Sequence, residues 1–297
     1  MLFQWFTIVS GWASVFLFVA LAAYKIYKFA TMPLNLRWEV YPVPHETQDR
    51  RRYGGSYMEQ TDWAKESRPS SFAAELMEMG SEIFFMKRVR EHNPYHLWPF
   101  SLALHWGIYL LLLWIGLLAA TILIPALTSL TVAVGVAAFA LGAGGAVGLI
   151  VKRATDEEMA LYTAPVDYFN LVFLAAIFGL GLGSWLTDPL FSQHQAYVGG
   201  LLSFRPTPVS PVVVAMFLLL QVFAIYMPFS KLFHYIVKHF TFRETLWDDE
   251  FNVKGSSQDE RIARQLSYTV SWAGPHIAPG KTWLEDVQVT SAGEEEK

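Results

Sequence analysis

The longest charge-free stretch of this chain, residues 97–151, reads LWPFSLALHWGIYLLLLWIGLLAATILIPALTSLTVAVGVAAFALGAGGAVGLIV. None of its 55 residues is Asp, Glu, Lys or Arg. A membrane-spanning helix needs about 20 mainly apolar residues, so the stretch is long enough for two passes. Pro125, with Thr128 and Ser129 close behind, is the natural place for a turn. The stretch therefore predicts two membrane-spanning helices, at roughly 97–122 and 129–151.

Three further stretches, residues 1–24, 168–187 and 206–230, also lack charged side chains. They predict membrane-spanning helices at roughly 3–27, 165–187 and 211–237. Only 16% of the chain is charged, against about 25% in a soluble domain. Lys25 and Lys28 follow the first span in a stop-transfer pattern, which argues against a cleavable signal peptide. The predicted fold class is an all-α membrane protein with five transmembrane helices.

The positions of the basic residues predict the orientation of these helices. Of the 22 Lys and Arg residues, 21 fall in residues 25–96, residues 152–153 and the segment after Ser230. Arg205 is the single basic residue on the opposite side. Because cytoplasmic loops carry the excess of Lys and Arg, the N-terminus is expected outside and the C-terminus in the cytoplasm.

Four segments follow from this topology. Residues 1–28 are the first transmembrane helix, residues 29–96 a cytoplasmic loop, residues 97–240 a four-helix membrane core and residues 241–297 a cytoplasmic tail. Within the loop, Ser70 or Ser71 is expected to cap an amphipathic helix that runs to about Arg90. Its apolar face, which could rest on protein or on lipid headgroups, comprises Phe72, Leu76, Met79, Ile83 and Met86. The tail is interpreted as an extended arm for a partner, with a disordered tail as the alternative.

Composition excludes several kinds of function. The chain has no cysteine, so it forms no disulfide and holds no cysteine-ligated zinc or iron–sulfur cluster through its own thiolates. Its net charge of −4 argues against nucleic acid as a partner. The glycine-rich runs at 142–148 and 179–183 look like nucleotide loops, but inside apolar spans they indicate close helix packing.

Two histidines stand out because an ionisable side chain inside a membrane span is costly and usually functional. His105 lies in the second span, and His234 lies near the inner end of the fifth. The two helices run in opposite directions, so the start of one and the end of the other share a membrane level. Two such imidazoles suit the axial ligation of a b-type haem, with Gly107 beside the porphyrin. Two unrelated polar histidines are the alternative.

The motifs around these histidines carry a resemblance to a known family. Residues 228–234 read PFSKLFH, similar to the pattern Pro-Phe-Ser-Arg-Leu-x-His, and residues 105–108 read HWGI, similar to His-x-Gly-Ile. Lys152 and Arg153 followed by Asp167 also fit. Over about residues 97–240 the chain resembles the gamma-subunit family of respiratory nitrate reductase. It looks closer still to the membrane cytochrome b subunits of heterodisulfide-reductase-like and sulfite-reduction-associated transmembrane complexes.

The resemblance implies His105 and His234 as the axial ligands of haem b. The family's outer haem has a second histidine pair, but this chain has Ile115 and Met216 at those positions. One haem on the inner side is therefore expected, and no outer one. His96 and His239 form a rival second pair, but their levels along the helices disagree.

Other polar residues near the inner face are candidates for contact with the haem or a quinone. The candidates for contact with haem propionates or for a quinone site are His96, Lys231, Lys238, His239 and Arg90. The remaining histidines are expected to be solvated or partner-facing: His45, His92, His194 and His276.

The resemblance implies a function in electron transfer within the bacterial or archaeal cytoplasmic membrane. The expected activity is that of a respiratory cytochrome b subunit, which moves electrons between the quinone pool and a cytoplasmic iron–sulfur subunit of the heterodisulfide reductase type. That partner is expected to dock on the loop and tail, through residues such as Trp38, Tyr41, Trp247 and Trp272. The alternative is a haem-free membrane anchor or a transporter.

Overall fold

The computed structural model describes residues 2–32, 43–44, 53, 55–65, 71–242, 246–247, 253–274 and 277–294. The chain divides into two compact units. The first contains Met1–Ala23 and Leu76–Phe233, and the second contains Tyr24–Glu75 and His234–Lys297. No β-strand occurs in the ranges just given, where the only bridges are the isolated pairs Thr269–Thr282 and Gly274–Ile277.

The α-helices, numbered in chain order, are α1 (Leu2–Ala30), α2 (Phe72–Phe85), α3 (Lys87–His92), α4 (Trp98–Leu123), α5 (Thr128–Thr155), α6 (Glu157–Tyr162), α7 (Pro165–Thr187), α8 (Ser192–Ser203), α9 (Pro211–Tyr226), α10 (His234–Thr241), α11 (Ser257–Leu266) and α12 (Trp283–Glu294).

Five helical segments in the described part of the chain are long and apolar enough to cross a membrane. They are Leu2–Ala30, Trp98–Leu123, Pro125–Thr155, Pro165–Thr187 and Pro211–Phe229. This finding confirms the five predicted spans and the all-α membrane class.

Within the first unit, α4 packs on α5, α5 on α7, and α7 on α9. Glycines allow the closest of these contacts: a Cβ at Gly107 of α4 would lie 2.5 Å from Gly142 Cα of α5. The prediction that the glycine-rich run of α5 serves helix packing is therefore confirmed. The role predicted for Gly107 beside a porphyrin is wrong, because this glycine lies against the backbone of α5.

The end of the fifth span differs from the single helix predicted over 211–237. The α-helix ends at Tyr226, and two 3₁₀ turns, Met227–Phe229 and Lys231–Phe233, precede α10. Pro228 explains the break, since proline has no N–H and its ring clashes with the carbonyl four residues earlier. The Ser230 hydroxyl stabilises the turn, donating to Met227 O at 3.0 Å and accepting from Leu232 N at 3.2 Å.

The predicted amphipathic helix is also interrupted. Ser71 does cap α2, because its Oγ accepts from Ala74 N at 3.3 Å. Met86 then adopts a left-handed backbone conformation, with φ of 50°. Since a left-handed residue cannot continue an α-helix, α2 ends at Phe85 and α3 begins separately at Lys87.

The second unit contains α10, α11 and α12. The tail is helical in part where it is described, rather than the extended arm that was predicted. Ser256 caps α11 by accepting from Asp259 N at 3.2 Å, and Val270 N donates to Lys281 O at 2.8 Å. Two of the proposed partner contacts are placed in this unit: Trp247 is buried against Phe242, and Trp272 is exposed. Trp38, Tyr41, His45, Ser70 and His276 lie outside the described residues.

Candidate functional site

His105 is a half-buried side chain in the first third of α4. Its Nδ1 lies 2.7 Å from the carbonyl oxygen of Ser101, one turn earlier in the same helix. Because a carbonyl oxygen only accepts, this contact assigns the proton of the neutral ring to Nδ1. The lone pair then lies on Nε2, which is the usual arrangement in a metal-ligating histidine.

An aromatic ring, that of Tyr109, lies beside this histidine and belongs to a group of three aromatic side chains. The ring of Tyr109 lies 6.3 Å from the ring of His105, and the ring of Phe84 lies 6.2 Å from that of Tyr109. The Tyr109 hydroxyl donates to Ile83 O at 2.9 Å, and Trp106 Nε1 donates to Phe84 O at 3.1 Å. The end of α2 therefore lies against the same part of α4 as His105.

His234, the other proposed axial ligand, is the first residue of α10 and belongs to the second unit. Its side chain is exposed. His239 lies in the same helix and is also exposed, with its ring edge-on to Phe240 at 5.4 Å.

Lys231 forms an ion pair that the sequence analysis did not predict. Its Nζ donates to Asp167 Oδ1 at 2.9 Å and to Asp167 Oδ2 at 3.2 Å. The same carboxylate accepts from Ala164 N at 3.0 Å, before the first turn of α7. The pair therefore joins the turn that follows α9 to the start of α7. Because Lys231 is largely exposed, the pair contributes at most about 1 kcal/mol to stability.

The other two candidates lie near the start of α4. Arg90, in α3, is within 3.4 Å of the Glu91 carboxylate, and both side chains are exposed. His96 is exposed and has a φ of 55°, two residues before α4 begins. His92 is exposed, as predicted.

The prediction for His194 is wrong. This residue was expected to be solvated or partner-facing. It lies in the first turn of α8, and its side chain is completely buried. Nε2 lies 3.0 Å from Ser184 Oγ, and Nδ1 lies 3.6 Å from Asp188 Oδ2. Burial lowers the pKa of His194 to about 4, although the negative charge of Asp188 opposes this shift. The imidazole is therefore neutral at neutral pH.

Aromatic rings pack around His194 on its other sides. We refer to Trp114, Phe139, Phe191, His194 and Phe217 as the aromatic cluster. The ring centroids of Trp114 and Phe191 lie 5.3 and 5.1 Å from that of His194. The cluster joins α4, α5, α8 and α9, and it fills the end of the bundle at which α8 lies.

Sequence reasoning missed this cluster because residues 192–203, SQHQAYVGGLLS, have neither a long apolar run nor a clear helical period. Asp188 precedes this segment but lies four residues before Ser192, which is not the spacing of a capping residue, so no local signal pointed to the cluster. Sequence reasoning also missed a polar contact between two spans, in which Tyr226 OH donates to Asn170 Oδ1 at 2.8 Å.

No protein-family model, curated protein or solved structure matches this chain. Among the residues with described positions, no group of three or more His, Asp or Glu side chains is arranged to hold a metal ion. A ligand set of two histidines from two helices is the arrangement that the sequence motifs favour.

Proposed function

We propose that this chain is a membrane cytochrome b that transfers electrons between a membrane quinone and a cytoplasmic iron–sulfur subunit of the heterodisulfide reductase type. The observation that carries the proposal is the hydrogen bond between His105 Nδ1 and Ser101 O inside a membrane-spanning helix. It orients the ring and assigns the proton of the neutral imidazole to Nδ1, the tautomer that ligates a metal through Nε2. The second ligand, His234, rests on the sequence motif that precedes it.

The chemistry of the donor at His105 fits a b-type haem. A haem would supply one-electron transfer to a chain that, without cysteine, holds no iron–sulfur cluster through its own thiolates. The half-buried imidazole lies beside the aromatic ring of Tyr109, and such a setting favours a neutral ligand and a large planar ring. Ser101 fixes the tautomer of His105 through its backbone carbonyl, so this positioning does not depend on the side chain at residue 101.

The proposal includes a single haem, at the end of the bundle where α4 begins. The packing of Ile115 and Met216, which stand where the family has the ligands of its outer haem, supports one haem rather than two. Met216 is completely buried, and Ile115 packs against the core formed by the bundle. The aromatic cluster occupies the same end of the bundle.

Several basic side chains are candidates for pairing with the haem propionates and for exchanging protons with the quinone. Lys231 and Arg90 are proposed to pair with propionates, in exchange for their present partners Asp167 and Glu91. His96, Lys231 and His239 are proposed to exchange protons with the quinone. The proposed orientation, with α4 beginning on the cytoplasmic side, places these groups on the side of the iron–sulfur partner.

The test is a pyridine haemochrome assay on the chain purified in detergent with its native partners. We expect one haem b per polypeptide, abolition of the signal in His105→Ala, and retention of it in His92→Ala. His92 is the matched control because it is exposed and lies outside the membrane spans. Two haems per polypeptide would contradict the single-haem proposal. No haem in the wild-type complex would favour the membrane anchor or transporter instead.

A further inference from the structure

The C-terminal end of α2 is bound to α4 by three side-chain hydrogen bonds. Trp98 Nε1 donates to Phe85 O at 2.8 Å, Trp106 Nε1 to Phe84 O at 3.1 Å, and Tyr109 OH to Ile83 O at 2.9 Å. The last four carbonyls of a helix have no partner within the helix. In α2 three of these carbonyls accept the hydrogen bonds just described, and the remaining one, that of Glu82, accepts from Met86 N at 3.1 Å. The end of α2 is thus fully satisfied without water.

The donors lie along the membrane-spanning part of α4. Trp98 is the first residue of α4, and Trp106 and Tyr109 lie about 12 and 16 Å further along the axis. Aromatic side chains on a helix lean back toward its N-terminus, which shortens these depths by several ångströms. The carbonyls of Ile83 and Phe84 still lie beside α4 at a depth where water is scarce. Backbone groups at such a depth must find partners in the protein.

A hairpin in water exposes its charged side chains and buries its apolar ones, whereas α2 and the first two residues of α3 show the reverse. Glu82 is only 7% exposed and accepts from Arg88 N at 3.0 Å. Lys87 Nζ donates to both oxygens of Glu78 at 3.0 Å, with both side chains largely covered. The hairpin therefore pairs its acidic groups internally.

The apolar side chains of α2 face outward instead. The exposed ones in the first unit are Leu76, Met77, Ile83, Phe84 and Phe85, with Met77 70% exposed. A surface of this kind is unfavourable in water. Ile83 of this face is bonded to Tyr109 of α4, and one turn further along α4 Leu112 and Leu113 are also exposed, as expected of a helix that faces lipid.

We propose that residues 76–88 form a re-entrant hairpin that enters the bilayer beside the first half of α4, and that lipid acyl chains cover its exposed apolar face. Lipid is favoured over a protein partner because Ile83 and Phe84 of this face are bonded to a membrane-spanning helix. The proposal is independent of the haem. It gives the chain a sixth membrane-inserted segment, anchored by Trp98, Trp106 and Tyr109.

Spin labelling tests this placement, because the chain has no native cysteine that would also be labelled. Nitroxides are attached at Leu76→Cys and Met77→Cys in the full chain, reconstituted in phospholipid vesicles. Leu112→Cys serves as the lipid-facing reference. Glu157→Cys, an exposed position at the start of α6 between two spans, serves as the aqueous reference. The measurement is collision with oxygen, which partitions into lipid, and with a water-soluble nickel chelate.

We expect both labels on α2 to match Leu112→Cys, with high oxygen and low nickel accessibility. Nickel accessibility equal to that at Glu157→Cys would place the face in water and overturn the proposal. Low accessibility to both reagents would indicate a protein covering, such as a second copy of the chain, and would also overturn it.

The anchoring residues are tested by the double variant Trp106→Phe and Tyr109→Phe, which removes two of the three donors. We expect the Met77→Cys label to become more accessible to the nickel chelate as the end of α2 leaves the bilayer. Trp5→Phe is the control, since Trp5 lies on the exposed surface of α1. An unchanged nickel accessibility in the double variant would contradict the anchoring role.

Discussion

Asp188 is a single carboxylate that fixes where α8 begins. It accepts from Ser192 N at 3.1 Å, from Ser192 Oγ at 2.6 Å and from Gln193 N at 2.8 Å. Burial opposes its ionisation, but the hydrogen bonds from Ser192 and Gln193 hold the pKa of Asp188 below the ordinary carboxyl value. The carboxylate therefore accepts hydrogen bonds from N–H groups that have no partner within α8, and its negative charge interacts favourably with the dipole of this helix.

Replacing this carboxylate is expected to destabilise the first unit. Asp188→Ala removes three hydrogen bonds from the start of α8, so we expect a loss of about 1–2 kcal/mol. Thermal unfolding of the chain in detergent measures the change. Asp156→Ala is a matched control, because Asp156 caps α6 through one hydrogen bond, to Met159 N at 3.0 Å. Equal losses in the two variants would contradict the special role of Asp188.

His105 and His194 show what sequence alone predicts about a single residue. His105 interrupts a long apolar run, so its position within a span identifies it as a candidate ligand without any structure. His194 lies in a polar segment, and its burial depends on Ser184, Asp188 and distant aromatic rings. No local pattern carries that information, because the contacts join four helices.

At the scale of helices, the contact between α4 and α5 is the closest in the bundle. A Cβ at Gly145 would lie 2.4 Å from Leu104 N and 2.7 Å from Phe100 O, both backbone atoms of α4. Backbone atoms cannot move aside as a flexible side chain can. The helices must therefore separate if this glycine is replaced by any larger residue.

Gly145→Ala tests this contact with one added methyl group. We expect it to destabilise the chain by about 1–3 kcal/mol, because the added group overpacks the interface. Gly144→Ala is the matched control: it is the adjacent residue of α5, and a Cβ there meets no atom within 4 Å. Unfolding in detergent should show a lower midpoint for Gly145→Ala alone. A similar midpoint in both variants would mean that α4 and α5 are less closely packed than described.

The spans could be predicted because their length and lack of charge are set by the bilayer, whatever the neighbours of each helix. The breaks within the predicted helices were less predictable. Pro228 signals a break, but the turns around it also depend on the Ser230 hydroxyl. Met86 carries no sequence signal for a left-handed backbone. Helix α8 is short and polar, and it is held by side chains from other elements.

At the scale of the first unit, polar side chains lie at several levels of an otherwise apolar bundle. Lys231 and Asp167 pair near the start of α7, and Tyr226 donates to Asn170 one turn further along that helix. Ser184 and His194 meet near its other end. Each group has a hydrogen-bond partner, as membrane burial requires. Burial lowers the pKa of His194 to about 4, so this residue is expected to govern the response of the bundle to mild acid.

The pH dependence of stability tests this expectation. The pKa of His194 is about 4 in the folded chain and 6.5 in its ordinary state. The unfolded chain therefore binds more protons between these values, so stability is complete above pH 6.5 and is lost as the pH falls toward 4. The loss over the whole interval is about 3 kcal/mol. We expect the unfolding midpoint in detergent to fall between pH 7 and pH 5.

His194→Gln provides the control, because glutamine retains a neutral hydrogen-bonding group and does not titrate. The variant should be less stable than the wild type at pH 7 but should lose much less stability between pH 7 and pH 5. His92→Gln, at an exposed position, should keep the wild-type pH dependence. If His194→Gln and the wild type respond equally to acid, another group controls the bundle and His194 is not buried as described.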